Sequence, residues 1–380
     1  MRIGIDARFL THPQSGGFKT YTENLVKALS LIDDANTYVL YLDRPPAEGA
    51  LPRKRNFVHR VVEGTHPVLG MPVREQIGLP RSIRQDRPDI MHFPCLTAPV
   101  SVPCPFAVTL HDVIWLSKPS FAKWSPKRLI MWTYTRYVSL LATRRARVII
   151  TVSESSKREI IQRLGVAQEK VVVTYEAVGS AFRFLADRSL LDRVCRQRGL
   201  PAGFVLAIGS ADPRKNILGL LRAYAGFGPG LIDRYALVIV WTHRLLADEI
   251  AAEVARLALG NHVHFLSGVS DDELVGLYNA ATVFAFPSHH EGFGLPLLEA
   301  MACGTPVVAA HNSSIPEVVG DAALLVDSTD TVALSTAIAQ VLADPELRKG
   351  LGRKGLQRAR MFSWERCARE TLSIYEGIAR

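Results

Sequence analysis

Residues 286–318 read FPSHHEGFGLPLLEAMACGTPVVAAHNSSIPEV, and they hold the densest set of groups able to do chemistry. Glu291 and Glu299 stand eight positions apart, separated by a run that begins Gly292, Phe293, Gly294, Leu295. A carboxylate withdrawn from water is costly unless a cation or hydroxyl groups meet it. Two of them in one short stretch therefore suit a polyhydroxylated ligand. The bare backbone of Gly292 and Gly294 falls where a helix should begin at Leu295. A helix start offers unpaired N–H groups and the positive end of the helix dipole, which suits a phosphate or a polar sugar.

The elements that must hold these groups follow from the flanking pattern. An apolar run at 281–286 reads as a strand and Gly304–Thr305–Pro306 stops the helix. Residues 307–310 then read as a second strand, so the whole is a βαβ unit in a parallel sheet. Short apolar runs recur at 3–5, 38–41, 58–62, 90–92, 106–110, 148–152 and 171–174, and again at 204–208, 236–240, 263–266, 283–286, 307–309 and 323–326. Strands alternating with helices over 380 residues imply an α/β protein of two Rossmann-like, doubly wound domains. The expected division lies near 178–202, giving an N-terminal domain over 1–180 and a C-terminal one over 200–362. A last helix, capped by Ser363 and running to 379, follows the motif FSWE. Such folds place ligands outside the carboxyl ends of their strands, so a cleft between two facing domains is the expected reaction site.

Composition narrows the class. With 48% hydrophobic and 21% charged residues the chain reads as an ordinary globular protein. No apolar run approaches the ~18 residues of a membrane span. Met1–Arg8 reads as a first strand rather than a leader, and the five cysteines have no paired or metal-like spacing, so a reducing cytoplasm is expected. The charge is lopsided: residues 1–180 carry 25 Lys and Arg against 15 Asp and Glu, and the other 200 carry 20 against 21. A basic N-terminal half points to phosphorylated substrates or anionic lipid; nothing in it resembles a nucleic-acid module.

The motif EGFGLPLLEAMACGTPVV closely resembles the signature of retaining GT-B-fold glycosyltransferases of family GT4. The resemblance implies that Glu291 faces the donor sugar and Glu299 bonds the ribose hydroxyls of a nucleotide. The amides of Gly292, Phe293, Gly294 and Leu295 would then hold sugar and diphosphate. It also implies that the terminal helix crosses back onto the N-terminal domain. Across the second domain, AIGSADPRKNILGLLRAY places Arg214 and Lys215 before a helix expected near Asn216. Fixed cations there would neutralise charge on a departing nucleoside diphosphate. Many relatives have Arg where this chain has Ser210, so Lys215 carries the main expectation and Arg214 assists. Val269, within Gly268–Val269–Ser270, sits where relatives pass the nucleobase.

In the first domain Gly16 and Gly17 lead into a helix expected from about Lys19. This turn resembles the family's glycine loop near the diphosphate and acceptor. His111 ends the run FAVTL; TLHDV resembles the family's His-Asp motif, whose His contacts the donor hexose. Asp6 and Asp112 read as structural carboxylates. His262 with His264, and His289 with His290, have no third ligand at useful spacing, so no metal site is expected. The Asp-x-Asp handle of metal-dependent relatives is absent as well, and no cofactor is expected. Residues 123–147 combine an apolar, aromatic helix around Trp132 with cationic ends. With Arg53–Lys54–Arg55 they suit either an anionic membrane surface or an ordinary core helix with a basic rim.

These features point to a metal-independent retaining hexosyltransferase. Its donor would be a nucleoside-diphosphate sugar (GDP-mannose first) and its acceptor a saccharide or lipid-linked acceptor. It would work in surface polysaccharide assembly, at the inner face of the membrane. A sugar-nucleotide epimerase and a non-catalytic nucleotide-sugar-binding protein are the alternatives.

Overall fold

The computed structural model describes all residues except 13–15, 65–69, 117–125, 243–247 and 380. The chain forms two compact units, Met1–Glu176 with Ser363–Arg380, and Ala177–Phe362. Residues 177–180, expected in the first domain, and 181–199, between the two expected domains, thus belong to the second unit.

Seven parallel strands make the first sheet: β1 (Arg2–Asp6), β2 (Thr37–Leu42), β3 (Phe57–Val61), β4 (Ile90–Phe93), β5 (Phe106–Thr109), β6 (Val148–Thr151) and β7 (Val171–Val173), in the order β3-β2-β1-β4-β5-β6-β7. β4 and β5 are buried along their whole length, as expected for strands covered on both faces. β3 closes one edge and is mostly exposed, with Arg60 on its outer face bonded to Asp86. Charge on an edge strand discourages pairing with another chain.

The helix Gly17–Ile32 follows β1 and starts two residues earlier than its sequence pattern suggests. It packs against the terminal helix Trp364–Ala379, with Tyr21 and Trp364 edge to face at 6.0 Å. Ser363 caps the terminal helix as expected, its Oγ accepting from the Arg366 amide at 3.3 Å. A buried chain ties that helix to the sheet: Tyr375 OH lies 2.6 Å from His92 Nδ1, and His92 Nε2 lies 2.8 Å from Thr109 Oγ1. Burial pushes the His92 imidazole down to about 3, so it is neutral at ordinary pH.

The second sheet has six parallel strands: β8 (Phe204–Gly209), β9 (Ala236–Trp241), β10 (Val263–Leu266), β11 (Val283–Phe286), β12 (Val307–Ala310) and β13 (Ala323–Val326), in the order β10-β9-β8-β11-β12-β13. β8, β9, β11 and β12 are almost wholly buried, under helices that include Ile217–Ala225 and Thr331–Ala343. Burying one such Val, Leu, Ile or Phe side chain contributes about 1.5–3 kcal/mol. Both sheets share one topology: the strand order reverses beside the first strand of each unit, between β1 and β4 and between β8 and β11. The loops diverge there and leave a crevice at the carboxyl ends.

Candidate functional site

In the second unit, the reversal point is where the sequence places its chemistry. The loop after β8 carries Lys215 and the loop after β11 carries Glu291. They meet there, Lys215 Nζ donating to Glu291 Oε1 at 2.7 Å. Their side chains are 20% and 13% exposed, and Nζ sits 5.2 Å from the centre of the Phe286 ring. The two groups expected to hold different parts of one ligand, 76 residues apart in sequence, are therefore one ion pair.

Local backbone geometry fixes both ends of this pair. Lys215 closes a short turn, Pro213–Lys215, started by Asp212, whose Oδ1 accepts from the Arg214 amide at 3.0 Å. Asn216 then adopts φ 52°, a left-handed conformation uncommon outside glycine, and the helix begins at Ile217. The buried Asn216 side chain donates to the carbonyls of Pro287 and Ser328 at 3.1 and 2.7 Å, joining the loops after β8, β11 and β13. Ser313, at φ 46°, accepts from the Glu291 amide at 3.0 Å. Ser314 Oγ lies within 3.0 Å of the Glu291 carbonyl and 2.7 Å of the Phe293 carbonyl. Strained non-glycine residues of this kind concentrate at ligand sites.

The glycine run behaves as its sequence suggests. Gly294 has φ 110° and immediately precedes the helix Leu295–Ala302; a Cβ there would come 2.9 Å from Leu297 Cδ1. Only glycine fits that conformation without strain. Gly292 and Phe293 are buried, and the Phe293 ring packs edge to face on Phe362 at 5.8 Å. Phe293 thus offers a ligand its backbone rather than its side chain. Glu299, in the second turn, accepts from Tyr278 OH at 2.9 Å. Burial pushes its carboxyl up to about 7, against the pull of the Tyr278 hydrogen bond and with a small addition from Asp271.

Arg214 differs from expectation. Its guanidinium lies on Asp212, with Nε and Nη2 at 2.9 and 2.6 Å from Oδ2, so its charge is largely met within its own turn. That hydrogen-bonded arginine holds the Asp212 carboxyl below its usual range, despite the burial that opposes it. Val269 lies in the turn after β10, beside Gly268 at φ 62° and before a helix, Asp271–Ala280, opened by a Ser270–Glu273 capping box. Because β10 is the outer strand, Val269 sits at the sheet edge, apart from the Lys215–Glu291 pair.

In the first unit, Gly16 takes φ 144° and its carbonyl accepts from the Lys19 and Thr20 amides; among the described residues nothing lies within 4 Å of a Cβ on Gly16 or Gly17. His111 follows β5, with Nδ1 3.0 Å from Glu176 Oε1 and Nε2 3.3 Å from the Pro94 carbonyl. Phe18 and Tyr21 stand edge to face on its ring at 5.0 and 4.8 Å. Both ring nitrogens face acceptors, a carboxylate and a carbonyl, which fixes the plane of the ring. Asp112 is structural, as its position suggests, capping the Ile114 amide at 2.9 Å.

Sequence reasoning missed a second constellation, at the reversal point of the first sheet. Asp6, at the end of β1, bonds Arg74, with Nη2 to Oδ1 at 2.8 Å. Arg8 donates to Glu75 at 2.8 Å, to Thr97 at 2.9 Å and to Cys95 Sγ at 2.8 Å. Tyr134 OH donates to the other Glu75 oxygen at 2.8 Å. Asp6, Arg8, Arg74 and Glu75 are all buried, and the last two sit on a single widened turn, Arg74–Gly78. Such π-turns are frequent at functional sites. Their charges balance; Arg74 and Arg8 hold the Asp6 carboxyl low even against its burial.

Among the described residues no three His, Cys, Asp or Glu side chains are placed to share a metal ion. His289 Nδ1 instead lies 2.9 Å from Ser328 Oγ. No described helix is long and apolar enough to cross a membrane. The basic segment resolves into two halves. Val138, Ser139, Ala142 and Thr143 of the helix Pro126–Arg145 are core, whereas Leu129, Ile130 and Tyr137 are exposed. Trp132 packs under the Arg136 guanidinium at 5.4 Å; residues 123–125 lie outside the described residues.

Two Rossmann-like units of this topology, with a glycine-led helix start at the second reversal point, define the GT-B class of glycosyltransferase. Comparison with known proteins agrees. Residues 198–358 match the family model described as glycosyl transferases group 1, and residues 15–180 match that of glycosyltransferase family 4. The chain belongs to this family and is a glycosyltransferase. It is 35% identical over 268 residues to the O-antigen chain mannosyltransferase B of Escherichia coli, a match covering 70% of this chain and 69% of that one. It is 31% identical over 298 residues to the serotype-specific mannosyltransferase WbdA of Escherichia coli, covering 74% of this chain but only 34% of WbdA. Among solved structures, sucrose-phosphate synthase from Thermosynechococcus elongatus matches with a TM-score of 0.77 at 21% identity, over 99% of this chain and 98% of that one. Anabaena HepE in complex with UDP and glucose matches with 0.75 at 21%, over 99% of each chain.

Proposed function

We propose that this chain is a retaining, metal-independent mannosyltransferase of surface polysaccharide assembly. It takes a hexose from a nucleoside-diphosphate sugar, GDP-mannose first, and passes it to a saccharide or lipid-linked acceptor. The observation that carries the reading is the Lys215–Glu291 pair at the second reversal point, beside the Gly294 helix start and with Glu299 one turn further on. The printed names of its relatives support the choice of mannose and of polysaccharide.

In this reading the diphosphate lies against Lys215 and the amides before Leu295, and the ribose hydroxyls donate to Glu299. The hexose rests on Glu291, and the role of His111 on the hexose is carried by the family resemblance of its motif alone. Arg214 assists only by releasing Asp212, and Val269 lines the base. Gly16 and Gly17 leave room for the diphosphate and acceptor. As the bond from the anomeric carbon to the diphosphate oxygen breaks, its electron pair goes to the diphosphate, where Lys215 and the helix dipole stabilise the added charge. The acceptor hydroxyl attacks from the same face and gives its proton to a departing phosphate oxygen. The protein then contributes position and charge rather than a strong base.

Peripheral contact with an anionic inner membrane face is favoured by the exposed Leu129, Ile130 and Tyr137 of the helix Pro126–Arg145, whose last turn carries Arg144 and Arg145. The test is turnover of a panel of nucleoside-diphosphate sugars with saccharide and lipid-linked acceptors, with and without a chelator. The reading expects GDP-mannose to be used first and chelation to change nothing. An epimerised sugar, formed without acceptor, would support the epimerase; binding without any turnover would support the non-catalytic alternative.

A further inference from the structure

The second unit has a large feature that the transfer reaction does not use. A groove of about 1080 Å³ runs along the amino-terminal edge of its sheet, at the opposite end of the strands from Lys215 and Glu291. That volume is in the range of small-molecule sites. Glycine lets its walls pack closely. A Cβ on Gly352 would come 2.7 Å from the Gly304 carbonyl, and Gly304, at φ 77°, has the Phe184 ring 3.1 Å from where its own Cβ would be.

The groove's lining is chemically mixed. Phe184, Leu191 and Leu356 are apolar members, and Phe184 is 60% exposed although its ring lies directly on the groove wall. Arg234, Arg348 and Arg353 are its cations without a carboxylate inside the lining beside them, Lys349 being matched by Glu346. Arg348 is anchored by giving Nη1 to the Val341 and Leu342 carbonyls, at 2.9 and 2.6 Å, which leaves its remaining N–H groups available. Lys349 and Glu346 cancel each other at 2.7 Å. Arg234 stacks on Tyr235, and neither it nor Arg353 has a carboxylate partner among the described residues. Arginines left without a counter-charge around an apolar trough, in a half of the chain whose overall charge is near zero, call for an anion that brings an apolar body with it.

We propose that this groove binds an amphiphilic phosphate ester, its phosphate on Arg353, Arg348 and Arg234 and its apolar part along Phe184, Leu191 and Leu356. The site is independent of the donor corner and does not rest on the transfer reading. Dihexanoyl phosphatidylglycerol, monomeric in solution, is the probe, titrated calorimetrically into the whole chain. One equivalent should bind. Arg353→Glu should raise the dissociation constant about ten- to hundredfold, the loss expected for a charged hydrogen-bond partner. Phe184→Ser should weaken it too, and Lys215→Ala should leave it unchanged, with a cooperative melting transition in each variant showing that it folds. Glycerol 3-phosphate, the head without the tail, should bind more weakly.

Flotation with phosphatidylglycerol vesicles separates the sources of such a ligand. Loss of flotation in Arg353→Glu identifies a membrane lipid, and unchanged flotation with lost binding of the soluble probe identifies a free phosphate ester. Equal probe affinity in Arg353→Glu, loss of binding in Lys215→Ala, or glycerol 3-phosphate binding as tightly as the lipid would each overturn the proposal.

Discussion

Replacing Lys215 with alanine removes the cation that stands 2.7 Å from Glu291 and, in the proposed complex, on the diphosphate. A charged hydrogen bond contributes about 1.5–3 kcal/mol, so the dissociation constant for a nucleoside diphosphate should rise about 10- to 150-fold. The same change leaves the Glu291 carboxylate without its partner at a site only 13% exposed. That loss falls between the small effect of a surface pair and the 3–5 kcal/mol of a broken buried one, so about 1–2 kcal/mol of stability should also go. The two effects separate experimentally. Adding Glu291→Gln removes the stranded charge and should restore most of the stability without restoring affinity. Calorimetric titration with a nucleoside diphosphate and with the bare nucleoside then reads the phosphate contribution alone, since the nucleoside should bind the variant and the parent equally. Arg214→Ala, whose guanidinium already lies on Asp212, should weaken the diphosphate by less. Unchanged diphosphate affinity in Lys215→Ala would remove that residue from the site and refute the assignment.

Glu291→Gln on its own should abolish transfer while sparing nucleotide affinity, because an amide oxygen can still accept from Lys215; undiminished turnover would count against its place on the hexose. Glu299, pushed up to about 7 by burial, should make nucleotide binding proton-linked: ribose hydroxyls donate to the ionised form, so affinity rises as pH climbs through 7. Glu299→Gln should flatten that profile. Its stability effect has the opposite sense, since a raised carboxyl contributes most below its ordinary value near 4.3 and that contribution is lost as pH rises through about 7. Melting curves should therefore show Glu299→Gln relatively more favourable at pH 8 than at pH 5. In the first unit, Glu75→Ala leaves the buried Arg8 and Arg74 to share Asp6 as their one carboxylate and should cost about 3–5 kcal/mol in denaturant unfolding; a loss near zero would mean the network contributes nothing.

Most of the architecture was legible because parallel strands covered on both faces must be short continuous apolar runs. Each of the thirteen runs is a strand, from Ile3–Ile5 within β1 to Ala323–Val326. The Gly294 helix start was legible too, since few residues tolerate φ 110°. What stayed hidden depends on pairing across long sequence separations. Nothing in the spacing of Lys215 and Glu291 says that they touch, and the sequence does not announce left-handed Asn216 or Ser313, which are not glycine. The basic excess of residues 1–180 reads as surface, yet Arg8 and Arg74 are buried on Asp6 and Glu75, and the widened turn at Arg74–Gly78 leaves no periodic trace. Arg214 read as an assistant to Lys215 on the diphosphate because the sequence does not show that its guanidinium folds back onto Asp212.

The central claim is that a sugar held at the Lys215–Glu291 corner is transferred with its anomeric configuration kept. Proton-coupled carbon NMR of the glycoside formed from GDP-α-mannose reads that directly through the one-bond coupling at the anomeric carbon. An α-linked product, lost in Glu291→Gln, is the expected result. A β-linked product, or α-product formed equally well by Glu291→Gln, would contradict it.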